Sequence, residues 1–109
     1  DSDASLLHVC VDYLEALLWS EDIATKEMQW SLDRTSLPFV VQTLDTLVDF
    51  CQGCTANQEA LSLTQICRLL NAILKRTSQM PGEVRDEKYS NLRRLCITLY
   101  STLLEPQHS

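Results

Sequence analysis

The feature that most constrains the fold is the spacing of apolar residues between positions 61 and 74, LSLTQICRLLNAIL. On a helix with about 3.6 residues per turn these apolar residues crowd one side, whereas polar side chains line the other. The chain has only two glycines and three prolines, so few positions favour a turn. The pattern predicts long helices, each with one buried face.

Apolar residues recur with the same spacing in residues 3–19 and 38–51. The apolar arc of the first segment is so wide that we expect this helix to be buried on two sides, with Ser2 or Asp3 capping its start. Pro38 favours the start of the second helix, because its missing amide hydrogen would be unsatisfied there, and Gly53 favours its end after Cys51. The predicted buried residues are Leu6, Leu7, Val9, Cys10, Val11, Tyr13, Leu14, Leu17 and Leu18, followed by Val40, Val41, Leu44, Leu47, Val48 and Cys51.

The second half of the chain predicts two more long helices. Thr55 and Gln58 have the spacing of a capping box, so a helix is expected over residues 55–77, up to the break at Met80-Pro81-Gly82. Acidic residues at the positive end of the dipole favour a last helix over residues 83–104. Its expected buried stripe consists of Leu92, Leu95, Cys96, Leu99, Tyr100 and Leu103.

Residues 22–31 are sparser in apolar residues and predict a short helix followed by a loop. No segment alternates between apolar and polar residues over a useful length, so no sheet is expected. The predicted fold class is all-α, with four long helices and a short one in a single domain over residues 1–109. Stacked antiparallel helical pairs and a plain helical bundle are both compatible with this pattern.

Composition narrows the class of protein. A net charge of -6 and a pI near 4.7 argue against a nucleic-acid binder, which usually carries a basic surplus. No apolar run approaches the roughly 18 residues that span a bilayer, and the acidic strip of residues 3–19 would be repelled by anionic lipid, so no membrane association is expected. The five cysteines lie mostly in apolar helical patterns, which favours a reducing intracellular compartment, cytoplasmic or nuclear. Because the chain begins with Asp1, we expect a fragment of a larger protein.

Two motifs in the sequence are candidate chemical sites. Cys51 and Cys54 form a C-x-x-C motif, the spacing of zinc knuckles and redox dithiols, but the sequence offers no second paired motif to complete a zinc site. His8 and Asp12 lie one helical turn apart, yet no nucleophile can be placed beside them. We therefore expect no catalytic residues, no metal and no cofactor, and a protein that is not an enzyme.

A polar line on the predicted helix 55–77 is the stronger candidate. Thr64, Arg68, Asn71 and Lys75 recur at spacings that place them along one face. The amide of Asn71 can donate to and accept from the backbone of an extended peptide, and the neighbouring cations can hold acidic side chains.

The segment ICRLLNAIL, residues 66–74, resembles the peptide-binding third helix of armadillo-type repeats. In that family leucines pack the solenoid and an asparagine faces the groove, so the resemblance implies that Asn71 faces a groove. The alternation of helices and breaks over residues 37–104 also resembles armadillo or HEAT repeats.

These observations predict a non-enzymatic scaffold or adaptor module that binds another protein in a helical groove. An acidic or amphipathic segment is the expected partner, with specificity set by Arg68, Asn71 and Lys75 and extended by Arg93 and Arg94. Two alternatives remain open at this point. The chain could form a homodimer through the apolar face of residues 6–18, or it could carry a thiol or zinc site at Cys51 and Cys54.

Overall fold

The computed structural model describes residues 3–105 and confirms the all-α class. Five helices form the core of this part of the chain, and a short two-stranded hairpin follows the first helix. The elements are α1 (Ala4–Leu18), β1 (Trp19–Glu21), β2 (Met28–Trp30), α2 (Leu37–Cys51), α3 (Thr55–Ser62), α4 (Ile66–Ser78) and α5 (Glu87–Leu103).

The α2 helix lies at the centre of the fold. It packs most extensively against α5 and also contacts α1 and α3, while α4 packs against α5 and more weakly against α1 and α3. Leucines from all five helices are fully buried in one cluster. Buried threonines fit this apolar environment because each hydroxyl donates to the carbonyl one turn earlier, as from Thr43 to Phe39 (2.7 Å) and from Thr77 to Ile73 (2.7 Å).

The predicted buried face of α1 is partly wrong. Leu7, Val11, Leu14 and Leu18 are the buried side chains, because α2, α3 and α4 cover that side of the helix. The neighbouring apolar residues Leu6, Val9 and Tyr13 are exposed, and Cys10 and Leu17 are half-buried. Helical periodicity locates an apolar arc but cannot tell which part of a wide arc meets the core.

The start of α1 is anchored by a side chain from α3. Asn57 is buried, and its Oδ1 accepts the backbone N–H of Asp3 at 2.8 Å while its Nδ2 donates to the carbonyl of Phe50 at 2.8 Å. Asp3 occupies the N-cap position, but its own side chain makes no capping hydrogen bond. The other predicted cap, Ser2, lies outside the described residues.

The prediction of a short helix over residues 22–31 is wrong, and so is the expectation of no sheet. β1 and β2 pair antiparallel, with Trp19 opposite Trp30 and the two rings in an edge-to-face contact at 5.2 Å. The carboxylate of Asp22 accepts the N–H groups of Ala24 (2.8 Å) and Thr25 (3.2 Å), which closes the connecting turn. Strands of three residues are too short to show period-two alternation in the sequence.

The predicted helix over residues 55–77 is two helices. The Thr64 hydroxyl donates to the carbonyl of Leu61 at 2.6 Å and accepts the N–H of Ile66 at 3.2 Å, so it supplies partners that replace helical hydrogen bonds in the turn. The predicted capping box does not form, since Cys54 takes the N-cap position of α3 and Gln58 donates to the carbonyl of Cys51.

The last helix begins at Glu87, four residues later than predicted. Asp86 is its N-cap, accepting the N–H of Lys88 at 3.1 Å, and it also forms an ion pair with Arg34 at 2.8 Å. The hydrogen bond from Arg34 holds the pKa of Asp86 below its ordinary value. Arg34 also donates to the carbonyl of Val84 at 3.2 Å, so the loop before α2 fixes the backbone that leads into α5.

The predicted role of Gly53 is confirmed by its left-handed backbone, with φ of 70° just after α2. We expect Gly53→Ala to destabilise the protein by about 1 kcal/mol, because a Cβ atom is disfavoured in this conformation. Urea unfolding followed by circular dichroism measures the change. Gly82→Ala is the matched control, since Gly82 does not have a positive φ and a Cβ atom there would also meet open space. Equal stability changes in the two variants would contradict the left-handed cap.

Candidate functional site

The four residues of the predicted polar line do not lie on one helix. Thr64 belongs to the turn between α3 and α4, where its hydroxyl is occupied by the backbone. Arg68, Asn71 and Lys75 lie on the exposed side of α4, as predicted. Thr64 is therefore a turn residue, and the exposed line is shorter than the sequence indicated.

Arg68 points towards α1 and the hairpin. Its guanidinium forms an ion pair with Glu15 at 2.9 Å and lies over the ring of Trp19, 5.6 Å from the ring centre. Two turns later Arg76 lies over Trp30 at 5.4 Å. Exposed ion pairs contribute about 0–1 kcal/mol and exposed cation–π contacts about 0.5–1 kcal/mol, so these contacts orient the hairpin against α4 more than they stabilise the fold.

Asn71 lies at the contact between α4 and α5. Its Oδ1 is within hydrogen-bond distance of the Tyr100 hydroxyl, which also lies 2.9 Å from the carbonyl oxygen of Cys67. Burial raises the pKa of Tyr100, so this hydroxyl stays protonated and can donate. Asn71 remains exposed, which leaves it on the surface beside α5.

Arg93 and Arg85 bind the carboxyl-terminal end of α4. The Nη1 atom of Arg93 donates to the carbonyl of Leu74 at 2.8 Å and to the Thr77 hydroxyl at 2.6 Å. The Nη1 atom of Arg85 donates to the carbonyl of Thr77 at 3.3 Å. The last carbonyls of a helix carry partial negative charge, so both guanidinium groups are held by hydrogen bonds and by the helix dipole.

These arginines contribute to an open groove on the outer side of α5, with a volume of about 360 Å³. Arg94 enters the groove from the next position and donates to the side chain of Asn91. Ile97 is 56% exposed there. We call this surface the arginine groove, and it is lined by Arg85, Ser90, Arg93, Arg94, Ile97 and Thr98.

No carboxylate lines the arginine groove. The ion pairs among residues 3–105 join Arg34 to Asp86 and Arg68 to Glu15, so no described carboxylate pairs with an arginine of the groove. The whole chain nevertheless has a net charge of -6. Two of these arginines cap the end of α4, and Arg94 adds a third positive charge on the solvent side of the groove.

The structure thus brings Asn71, Arg93 and Arg94 to the neighbouring surfaces of α4 and α5, and it separates Arg68 from them. Sequence reasoning missed Arg85 and Ile97. The sequence held two weak indications of them. Ile97 does not belong to the predicted buried stripe of the last helix, and Arg85 is one of several cations in the second half of the chain. Neither signal shows that the end of α4 would hold Arg85 beside Arg93.

The C-x-x-C motif lies at the end of α2. Cys51 is buried, and burial raises the pKa of its thiol to about 11. A thiol protonated at neutral pH is a poor nucleophile and a poor metal ligand. Among residues 3–105 no group of three or more His, Cys, Asp and Glu side chains is placed to hold a metal, and no helix of that part of the chain is long and apolar enough to cross a membrane.

These features define a small helical domain whose most distinctive surface is a basic groove. The chain belongs to the RyR and IP3R Homology associated family, whose profile matches residues 1–74. No curated protein and no solved structure matches the chain. The family is a helical one, which is compatible with a helical-repeat resemblance but does not assign the chain to armadillo or HEAT repeats. The match ends in α4, so the arginine groove lies outside it.

Burial makes a direct prediction about the cysteines. Burial raises the pKa of the Cys96 thiol to about 12, as it raises that of Cys51 to about 11. We therefore expect both thiols to resist alkylation by iodoacetamide at neutral pH in the folded protein. Peptide mass spectrometry measures the modified fraction at each position. Unfolding in urea should expose both thiols and is the control. Rapid modification of Cys51 in the folded state would contradict its assignment as a core residue.

Proposed function

We propose that the chain is a protein-interaction module that binds an acidic or amphipathic segment of a partner in the arginine groove. The observation that carries the proposal is the convergence of three arginines on one open groove without a carboxylate partner among the described residues. A non-enzymatic interaction role is consistent with a helical domain of the RyR and IP3R Homology associated family.

The chemistry of the groove matches an acidic segment. A guanidinium presents a planar set of donors that can bind a carboxylate through two parallel hydrogen bonds. Arg85 and Arg93 are each held by one terminal nitrogen at the end of α4, so little side-chain freedom remains to be lost on binding. Because Ile97 is exposed beside them, an apolar side chain of the partner has a surface to pack on.

Asn71 and Lys75 extend this surface along α4. The contacts of Tyr100 with Asn71 and of Arg93 with Leu74 keep the exposed side of α4 next to the groove. The Asn71 amide can bind the partner's backbone, and Lys75 adds a further positive charge on α4. Arg68 already contacts Glu15 and Trp19. We therefore expect Arg68 to contribute less to partner binding than the arginines of the groove.

A synthetic amphipathic peptide with leucines on one helical face and glutamates on the other tests this proposal. We expect Arg94→Glu to weaken its binding by roughly tenfold or more, because the change removes a charged donor and adds a repulsive carboxylate. Fluorescence anisotropy with the labelled peptide measures the dissociation constant. Affinity should also fall as salt is raised, since part of the attraction is between exposed charges.

The matched control is Lys88→Glu, which makes the same change of charge on the same helix. Lys88 is exposed but lines a different cavity, beside Leu37, Pro38 and Val41. Circular dichroism verifies that both variants fold. Equal loss of affinity in the two variants would mean that only net charge matters, and unchanged affinity in Arg94→Glu would remove the groove as the binding site.

A further inference from the structure

The exposed side of α1 carries apolar side chains that the core does not use. Leu6, Val9 and Tyr13 are 46%, 63% and 48% exposed, and their spacing places them on one face of the helix. Cys10 and Leu17 border this face and are half-buried. Contiguous exposed apolar residues on a small domain usually mark a surface that another chain covers.

The apolar face of α1 leads to a cavity at the end of the helix. This cavity has a volume of about 350 Å³, and Leu17 and Ala16 from α1 meet Phe39 from α2 in its wall. Phe39 is 55% exposed. The apolar surface therefore reaches from α1 to the first turn of α2.

A fixed carboxylate borders the same cavity. Asp33 accepts the backbone N–H groups of Thr35 at 2.9 Å and Ser36 at 3.0 Å, and its side chain is part of the cavity wall. These hydrogen bonds, that of Ser36 above all, lower the pKa of Asp33, so the group is ionised at neutral pH. The cavity thus combines an aliphatic and aromatic wall with a negative charge held in place.

The charges of α1 and α2 are of one sign. The two helices contain Asp12, Glu15, Asp45 and Asp49 but no lysine or arginine. Glu15 is engaged by Arg68, and the other three are exposed without an ion-pair partner among residues 3–105. A second copy docking through this same face would bring like charges together, which is unfavourable.

We propose that the apolar face of α1 and the adjoining cavity dock an amphipathic helix of a partner protein whose apolar stripe is flanked by lysine or arginine. The stripe packs on Leu6, Val9 and Tyr13, as in helix-in-groove recognition. A basic side chain of the docked helix lays its aliphatic stem against Leu17 and Phe39 and brings its charged end to Asp33. This surface is separate from the arginine groove and opposite to it in charge.

A synthetic amphipathic peptide of leucine and lysine tests this docking site. We expect the double variant Val9→Ser/Tyr13→Ser to weaken its binding by about tenfold or more, because both substitutions remove apolar anchors. The matched control is Ile23→Ser/Leu63→Ser, which removes two apolar side chains that are even more exposed but lie in the hairpin turn and in the turn before α4. Fluorescence anisotropy reports the dissociation constants, and circular dichroism verifies folding.

The carboxylate is tested separately with Asp33→Asn, which keeps an oxygen that can accept the N–H groups of Thr35 and Ser36. We expect a loss of about threefold to tenfold in affinity for the leucine–lysine peptide, whereas Glu27→Gln in the hairpin connection should leave it unchanged. Equal effects of these two charge-neutralising variants would overturn the role of Asp33.

Three outcomes would overturn the docking site itself. The first is equal binding of the leucine–lysine peptide to the Val9→Ser/Tyr13→Ser variant and its control. The second is that the Val9→Ser/Tyr13→Ser variant loses as much affinity for the leucine–glutamate peptide, which would indicate a general defect of the variant. The third is concentration-dependent dimerisation, measured by sedimentation, that the Val9→Ser/Tyr13→Ser variant abolishes. Because Arg94→Glu should leave binding of the leucine–lysine peptide intact, failure of the arginine groove and failure of this site are distinguishable.

Discussion

The packing of α2 against α5 is the interaction on which the rest of the structure depends. The residues matched by the family profile end in α4, yet α2 makes its most extensive contact with α5, beyond that limit. Burial of Leu92, Leu95 and Leu99 fixes the rotation of α5 about its axis. Because helical side chains recur every 3.6 residues, this rotation turns Arg94 and Ile97 outward. The apolar core therefore determines where the charged surface lies.

The α4 helix links this core to the surfaces on either side of it. Towards α5, its last carbonyls and the Thr77 hydroxyl accept from Arg93. Towards the hairpin, Arg68 and Arg76 lie over the two tryptophans. Each contact is worth little by itself, whereas burial of a leucine contributes about 1.5–3 kcal/mol. The polar contacts consequently set orientation, and the apolar contacts set stability.

The sequence predicted the helical class because long apolar stripes with a single period leave few other solutions. Gly53 was also predicted correctly, since a left-handed residue after α2 has a steric cause that is local. The wrong predictions concern features that depend on a single side chain or on contacts between residues that are distant in the sequence. The turn at Thr64 depends on one hydroxyl that replaces helical hydrogen bonds, and the hairpin depends on a cross-strand contact between Trp19 and Trp30. Of the arginines that line the arginine groove, the sequence singled out Arg93 and Arg94 as candidate binding residues, whereas Arg85 is placed beside them by tertiary structure.

The two candidate surfaces divide the domain into a basic side on α5 and an acidic, partly apolar side on α1 and α2. A module with two surfaces of opposite charge can distinguish partners by charge as well as by shape. The most direct test of the basic surface is heteronuclear NMR of the labelled protein, titrated with the leucine–glutamate peptide. If the peptide binds in the arginine groove, the largest chemical-shift changes occur at the amides of Ser90, Arg94 and Ile97. If the largest changes occur instead at residues of α1 or at the tryptophan indoles, the arginine groove is not the binding site.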